Sequence, residues 1–188
     1  CEVCGRCVEA CQYGALEIKG RKATVAQVIS EVEKDRAYYD ASGGGMTLSG
    51  GEPTAQFDFC VALLDAAQAS GIHTCIETAA YTPRERMLRL VPSVDLFLVD
   101  WKESDPARHR EFTGVDPQRI RENLLALDEA GAEMVLRCPI VPGLNDRPDH
   151  FAGIAELAET LGHVRAVEIM PYHPMGAPKS RNIGRDYP

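Results

Sequence analysis

The chain has 188 residues, 45% of them apolar and 26% charged, which suits one globular domain with a real hydrophobic core. Its net charge of −8 disfavours nucleic-acid and anionic-membrane binding, which both want basic patches. No apolar run approaches the roughly 18–20 residues of a membrane span.

Residues 1–20 hold four of the seven cysteines and few core-forming side chains, so a bound cluster would have to organise them. Cys1, Cys4, Cys7 and Cys11 follow C-x2-C-x2-C-x3-C, the bacterial ferredoxin run for a [4Fe–4S] cluster. A zinc knuckle or a disulfide-linked turn is the alternative, but zinc sites usually pair one CxxC with a distant second, and none is visible. Clustered cysteines of this kind indicate a reducing, cytoplasmic setting. Cys60, Cys75 and Cys138 lie in apolar surroundings and read as small buried hydrophobes.

From Thr24, a plausible N-cap, Val25, Val28, Ile29 and Val32 mark a helical stripe that ends at Ser42-Gly43-Gly44-Gly45. Met46–Ser49 reads as a strand, Phe57–Ala69 as a helix stopped by Gly71, and His73–Glu77 as a strand. Pro83 opens a short helix to about Leu90, and Asp95–Val99 is an apolar strand. Helices over 105–112 and 117–130 precede a strand at Glu133–Arg137, a helix over 147–161 and a strand over 164–170. From Pro171 the chain is rich in proline and glycine and reads as irregular. Five strands alternating with helices predict an α/β fold with a parallel sheet, whose working residues sit just after each strand.

After the first strand, GGGMTLSGGEP brings five glycines in nine residues, then Glu52, an acceptor for a ligand amine. Glycine lets a backbone approach a ligand closely, while neither GxGxxG nor GxxxxGK[ST] is present. Glu77-Thr78 follows the second strand and Asp100-Trp101-Lys102 the third, so two neighbouring acids suggest a cationic ligand or metal ion. A direct Asp100–Lys102 pair explains the second acid equally well. Arg137 ends the fourth strand and is expected to aim inward; Pro171-Tyr172-His173 follows the fifth. His109, in DPARHREFTG, reads as an exposed helical histidine without a special role.

Together these segments resemble the radical S-adenosylmethionine (SAM) enzymes, and among them the glycyl-radical-enzyme activating enzymes, typified by pyruvate formate-lyase activating enzyme. ASGGGMTLSGGEP is similar to the family's SAM-binding glycine segment. GIHTCIETAAY looks like its acid after the second strand, with Glu77 where Asp is usual. DLFLVDWK and HREFTG match its D-x-K and H-x3-TG elements, and LRCPIVPGLND and EIMPYHPMG complete the series. The resemblance implies a partial parallel (β/α) barrel over 21–188, five of about six strands. It makes residues 1–20 the remnant of a ferredoxin-like insert. Gly50, Gly51 and Glu52 would bind the amino end of SAM. Glu77, Thr78 and Asp100 would lie near its methionine moiety with a monovalent cation, and Lys102, Arg137 and His173 would line the ligand or peptide side.

The implied reaction is reductive cleavage of SAM at a [4Fe–4S] cluster and hydrogen abstraction from a glycine of a partner, a glycyl radical enzyme like pyruvate formate-lyase, with flavodoxin or ferredoxin as electron donor. The superfamily's catalytic C-x3-C-x2-C is absent, because Cys7-x3-Cys11 is followed by Gly14 at the third position. The expectation is therefore a fragment whose catalytic cluster ligands and first strand lie upstream, and which does not cleave SAM alone. Two other readings stay open: a ferredoxin-type electron carrier on a β/α scaffold, and a barrel lyase or isomerase using Lys102 as a Schiff base.

Overall fold

The computed structural model describes residues 4–18, 20–174, 176–182, 184 and 186. Five strands form one parallel sheet in the order β1-β2-β3-β4-β5: Gly45–Leu48, His73–Thr78, Leu96–Asp100, Met134–Ile140 and Val164–Pro171. Between them run α4 (Phe57–Ala69), α5 (Arg84–Leu90), α6 (Pro106–Thr113), α7 (Gln118–Glu129) and α8 (Pro148–Glu159). Before the sheet come α1 (Arg6–Glu9), α2 (Val25–Val32) and α3 (Arg36–Ser42). The last helix, α9 (Gly176–Asn182), occupies a stretch expected to be irregular; Pro178 lies within its first turn, where a missing N–H costs the helix nothing.

Local sequence explains the boundaries. Thr24 caps α2 through a full capping box with Gln27, whose side chain answers the Thr24 N–H at 2.9 Å. Asp105 caps α6 by accepting the Arg108 N–H, with Pro106 at the first helical position. Gly43 and Gly114 take left-handed conformations that end α3 and α6.

The register sorts the strand residues onto two faces. Ile76, Phe97, Met134, Leu136 and Val99 point to the helix-covered side, each 0% exposed, with Leu64, Leu124 and Leu127 opposite them. Cys75, Glu77, Leu98, Asp100, Val135, Arg137 and Glu168 fall on the other side. That face is apolar low down and polar toward the carboxyl ends of the strands. β5 is exposed along most of its length.

Of the glycine-rich segment, Gly45 serves packing rather than a ligand. A Cβ built there would lie 1.9 Å from the His73 carbonyl oxygen, so β1 approaches β2 too closely for any side chain. We expect Gly45→Ala to push β1 off β2 and cost about 1–3 kcal/mol, read as a lower urea midpoint; an unchanged midpoint would remove the packing role.

Candidate active site

The polar residues gather at the carboxyl edge of the sheet, in two tiers. In the lower tier Arg137 is the centre: its side chain is only 15% exposed, and its Nη1 lies 2.5 Å from Glu77 Oε1. Glu77 belongs to β2 and Arg137 to β4, so the contact passes across β3 on the open face. The extra methylene of Glu over Asp provides that reach. Glu168 of β5 lies 3.9 Å from the Arg137 Nε, which also donates to Met170 Sδ at 3.2 Å. Ser49, just after β1, donates its hydroxyl to Glu77 at 2.9 Å. The cation that Glu77 was expected to attract is thus the chain's own guanidinium. Arg137 does aim inward, but from the middle of β4, which runs three residues past its expected end to Ile140.

The upper tier is built by the loops. Glu52 accepts four hydrogen bonds, from the N–H and hydroxyl of Thr54, the hydroxyl of Thr78 and the N–H of Ala79, all between 2.8 and 3.1 Å. It therefore staples the β1 loop to the end of β2. Thr78 is 3% exposed; its hydroxyl serves Glu52 and accepts the Ala80 N–H. Gly50 and Gly51 are exposed, and a Cβ on either would meet nothing within 4 Å, so open space adjoins this backbone. Asp100 and Lys102 pair at 2.8 Å, so the self-pairing reading of these two residues holds. His173 is exposed in the segment after β5.

Behind Lys102, two residues that sequence reasoning passed over hold the loop. Asn145 donates to the carbonyls of Lys102 (2.9 Å) and Pro139 (2.8 Å) and accepts the Val141 N–H (2.6 Å). Glu103, fully buried, takes both Arg147 nitrogens at 3.0 and 3.2 Å and the N–H groups of Ser104 and Asp105. Burial pushes the Glu103 carboxyl up, but Arg147, the Asp105 N–H and the nearby His150 outweigh it and hold it below the usual range. The only sequence signal for either residue was its place after a strand.

His109 is corrected outright. It is 1% exposed, not a surface residue, and lines a cavity of about 430 Å³ together with Glu52, Tyr81, Asp100, Lys102 and Phe112. Its place on α6 beside the Asp100-Trp101-Lys102 turn brings it there, and an unremarkable helical setting in the sequence concealed it.

Of the cysteine run, Cys1 lies outside the described residues. Cys4 and Cys7 are exposed thiols and Cys11 is partly covered. Backbone N–H groups of Leu16, Ala15, Tyr13 and Gly14 hold the Cys11 thiol below its ordinary range, and Ala15 N lies 3.2 Å from its sulfur. A thiolate held by amides is the donor that an iron–sulfur cluster takes. Among the described residues no three potential ligands converge, so the chemistry of the donors fits while their positions are not gathered. The remaining thiols are core: burial, aided by Glu52, pushes Cys60 up to about 11, and burial, aided by Asp100, pushes Cys138 up to about 12. Cys75 is raised too, first by burial.

A sequence model for the Radical SAM superfamily matches residues 2–158. The isethionate sulfite-lyase activating enzyme of Nitratidesulfovibrio vulgaris is 42% identical over 184 residues, 97% of this chain and 59% of that protein. The (2S)-3-sulfopropanediol sulfolyase activating enzyme of Bilophila wadsworthia is 40% identical, covering 98% of this chain and 71% of its own length. Among solved structures, a domain of pyruvate-formate lyase-activating enzyme from Bacteroides vulgatus superposes with a TM-score of 0.65 at 28% identity, over 69% of this chain and 81% of that one. The chain spans 57–59% of the first two curated relatives it matches.

Two outcomes test this geometry. Iodoacetamide applied to the native chain should alkylate Cys4 and Cys7 while Cys60, Cys75 and Cys138 react only after denaturation; equal labelling, read by peptide mass, would contradict the burial. Glu103→Gln removes the buried carboxylate shared by Arg147 and the Ser104 and Asp105 N–H groups, leaves Arg147 its Asp149 pair, and should cost about 1–3 kcal/mol in urea unfolding near neutral pH. Because the Glu103 carboxyl is held low, its contribution is full above the unfolded carboxylate range and fades as pH falls through the folded value. Variant and parent should therefore converge in acid, and a gap that persists there would contradict the carboxylate's role.

Proposed function

The chain belongs to the radical SAM superfamily, among the activating enzymes of glycyl radical enzymes, and we propose that it supplies the SAM-positioning part of such an activating enzyme in the cytoplasm. The observation that carries this reading is the carboxyl edge of the sheet: the glycine segment, Glu77, Asp100 with Lys102, and Arg137 come in order from β1 to β4, and Glu77, Asp100 and Arg137 share one face. Activity, substrate and partner belong to the whole protein. The glycyl radical enzyme that it serves, and a flavodoxin or ferredoxin donor, are proposed on the likeness to the activating enzymes alone.

When bound, SAM at a reduced [4Fe–4S] cluster supplies the carbon radical that takes hydrogen from a glycine. The residues of this chain bind and orient. The exposed backbone at Gly50-Gly51, backed by the stapled Glu52, offers carbonyl oxygens and a fixed carboxylate to an ammonium group. Lys102 offers its ammonium to a carboxylate and Asp100 its carboxylate to an amine. A monovalent cation at Asp100 would take the place of the Lys102 ammonium. Thr78 acts indirectly, by holding Glu52. Arg137 and Glu77 form the floor, and His173, exposed in the segment after β5, is proposed for the rim. Residues 1–20, through Cys1, Cys4, Cys7 and Cys11, would form a unit for an accessory cluster, distinct from 21–188.

These residues contain no C-x3-C-x2-C, so the chain by itself is proposed not to cleave SAM. Reconstituted with iron and sulfide and given dithionite and SAM, it should release no 5′-deoxyadenosine above a protein-free blank; robust product overturns the assignment of the catalytic cluster to another segment. SAM binding itself is tested by calorimetry on the whole protein. Asp100→Asn and Lys102→Ala should each weaken SAM about 10-fold or more, as loss of a charge-assisted hydrogen bond does. Unchanged affinity in both would refute the site.

A further inference from the structure

The turn that follows β2 is held in a conformation that its own sequence disfavours. Ala80, 0% exposed, takes φ of 52°, a left-handed backbone in which the Cβ of an alanine crowds the following carbonyl. A glycine there would carry no such penalty. The compensation comes from α7. Asn123, 1% exposed, donates its amide hydrogens to the carbonyls of Ala80 and Thr82 at 2.8 Å each. Its own Oδ1 is left buried without a partner, a second cost in the same place. Backbone strain of this kind persists only where the surroundings over-determine it.

The same turn holds Glu52. The Thr78 hydroxyl donates to Glu52 Oε1 at 2.8 Å and the Ala79 N–H to Oε2 at 2.9 Å, while Thr78 Oγ1 accepts the Ala80 N–H at 3.0 Å. The backbone over 78–82 thus has two anchors, Glu52 at one end and Asn123 at the other. Rotation of Ala80 to a negative φ would swing Thr78-Ala79 against Tyr81-Thr82. The Ala79 N–H and the Thr82 carbonyl could not then both keep their partners.

We infer that Asn123 is a positioning residue for Glu52: by latching the Ala80 and Thr82 carbonyls it keeps Ala80 left-handed, and so keeps the Thr78 and Ala79 donors on the Glu52 carboxylate. It acts only through the intervening backbone. All four donors on Glu52 are uncharged, so the carboxylate keeps its charge for a ligand ammonium while its oxygens stay fixed in direction. That fixing is preorganisation, and it lowers the ordering cost of binding. The effect on SAM rests on the proposed role of Glu52; the latch itself does not.

The test is made on the whole protein and reads non-additivity. Asn123→Ala should speed hydrogen exchange of the Ala79 amide about tenfold and weaken SAM about tenfold by calorimetry, the size of one lost hydrogen bond. In an Ala80→Gly background the same substitution should change both by about threefold or less, because glycine holds the positive φ without strain. A residue that only fills the core would give equal effects in both backgrounds. Should Asn123→Ala fail to fold, Asn123→Ser, which keeps one donor, is read in the same two backgrounds. Equal effects in the two backgrounds, or an unchanged Ala79 rate, overturn the inference. Undiminished SAM affinity in Glu52→Gln would instead remove Glu52 from the SAM site, and the Ala79 rates would still decide the latch.

Discussion

A guanidinium on the open face of a parallel sheet, 15% exposed, has to be matched by carboxylates, and the arrangement at the strand ends follows from that requirement. Arg137 on β4 takes Glu77 from β2 at close range and Glu168 from β5 more loosely, so one side chain spans four strands of the sheet. Ser49 extends the same network to the segment after β1. A buried ion pair contributes little net stability over an apolar replacement, because desolvation offsets most of the Coulomb gain. Its effect is on arrangement. With Glu77 held by Arg137, the ends of β2 and β4 are fixed relative to one another, and β3 between them must present Asp100 at the same height.

The loops above that tier are held by a different device: side-chain oxygens and amides that act as partners for loop backbone. Loop N–H and C=O groups lack ladder partners and must find others when covered. Glu52 takes the Ala79 N–H, Glu103 takes those of Ser104 and Asp105, and Asn145 bridges the Lys102 and Pro139 carbonyls. Each links one βα loop to its neighbour or fixes a turn within it. The ligand-facing segments therefore reach their positions without ligand, and little ordering entropy is left for a ligand to supply.

Much of this was legible in the sequence. Short apolar runs such as DLFLV, set between helical stretches and glycine stops, mark all five strands, four of them within one residue at each end, while β4 runs three residues beyond its expected end to Ile140; the acids and bases near their carboxyl ends mark the edge that works. What pattern could not carry was pairing. Alternation along β3 puts Phe97 and Asp100 on opposite faces, but nothing in the run says that Asp100 shares its face with Arg137; only the register does. Hence Glu77 was matched with an outside cation when its partner lies two strands away in space and sixty residues away in sequence. Gly45 failed for a related reason: a glycine needed by a ligand and one needed by a neighbouring strand look alike until the strand is placed. His109 failed because burial of a helical histidine depends on what folds back over it, here the Thr113–Val115 segment that its Nδ1 meets.

The Asp100–Lys102 pair lies among the proposed SAM positions, and its charge balance constrains what can bind there. A ligand that removed Lys102 from Asp100 by binding the ammonium alone would leave a half-buried carboxylate uncompensated, at a cost that grows as the site closes over it. An amino-acid end group avoids this, because its ammonium and its carboxylate replace both partners at once, and the pair opens without either charge being stranded. A cation that takes the Lys102 place at Asp100 therefore needs an anion at the released ammonium, which the carboxylate of an amino-acid end group supplies.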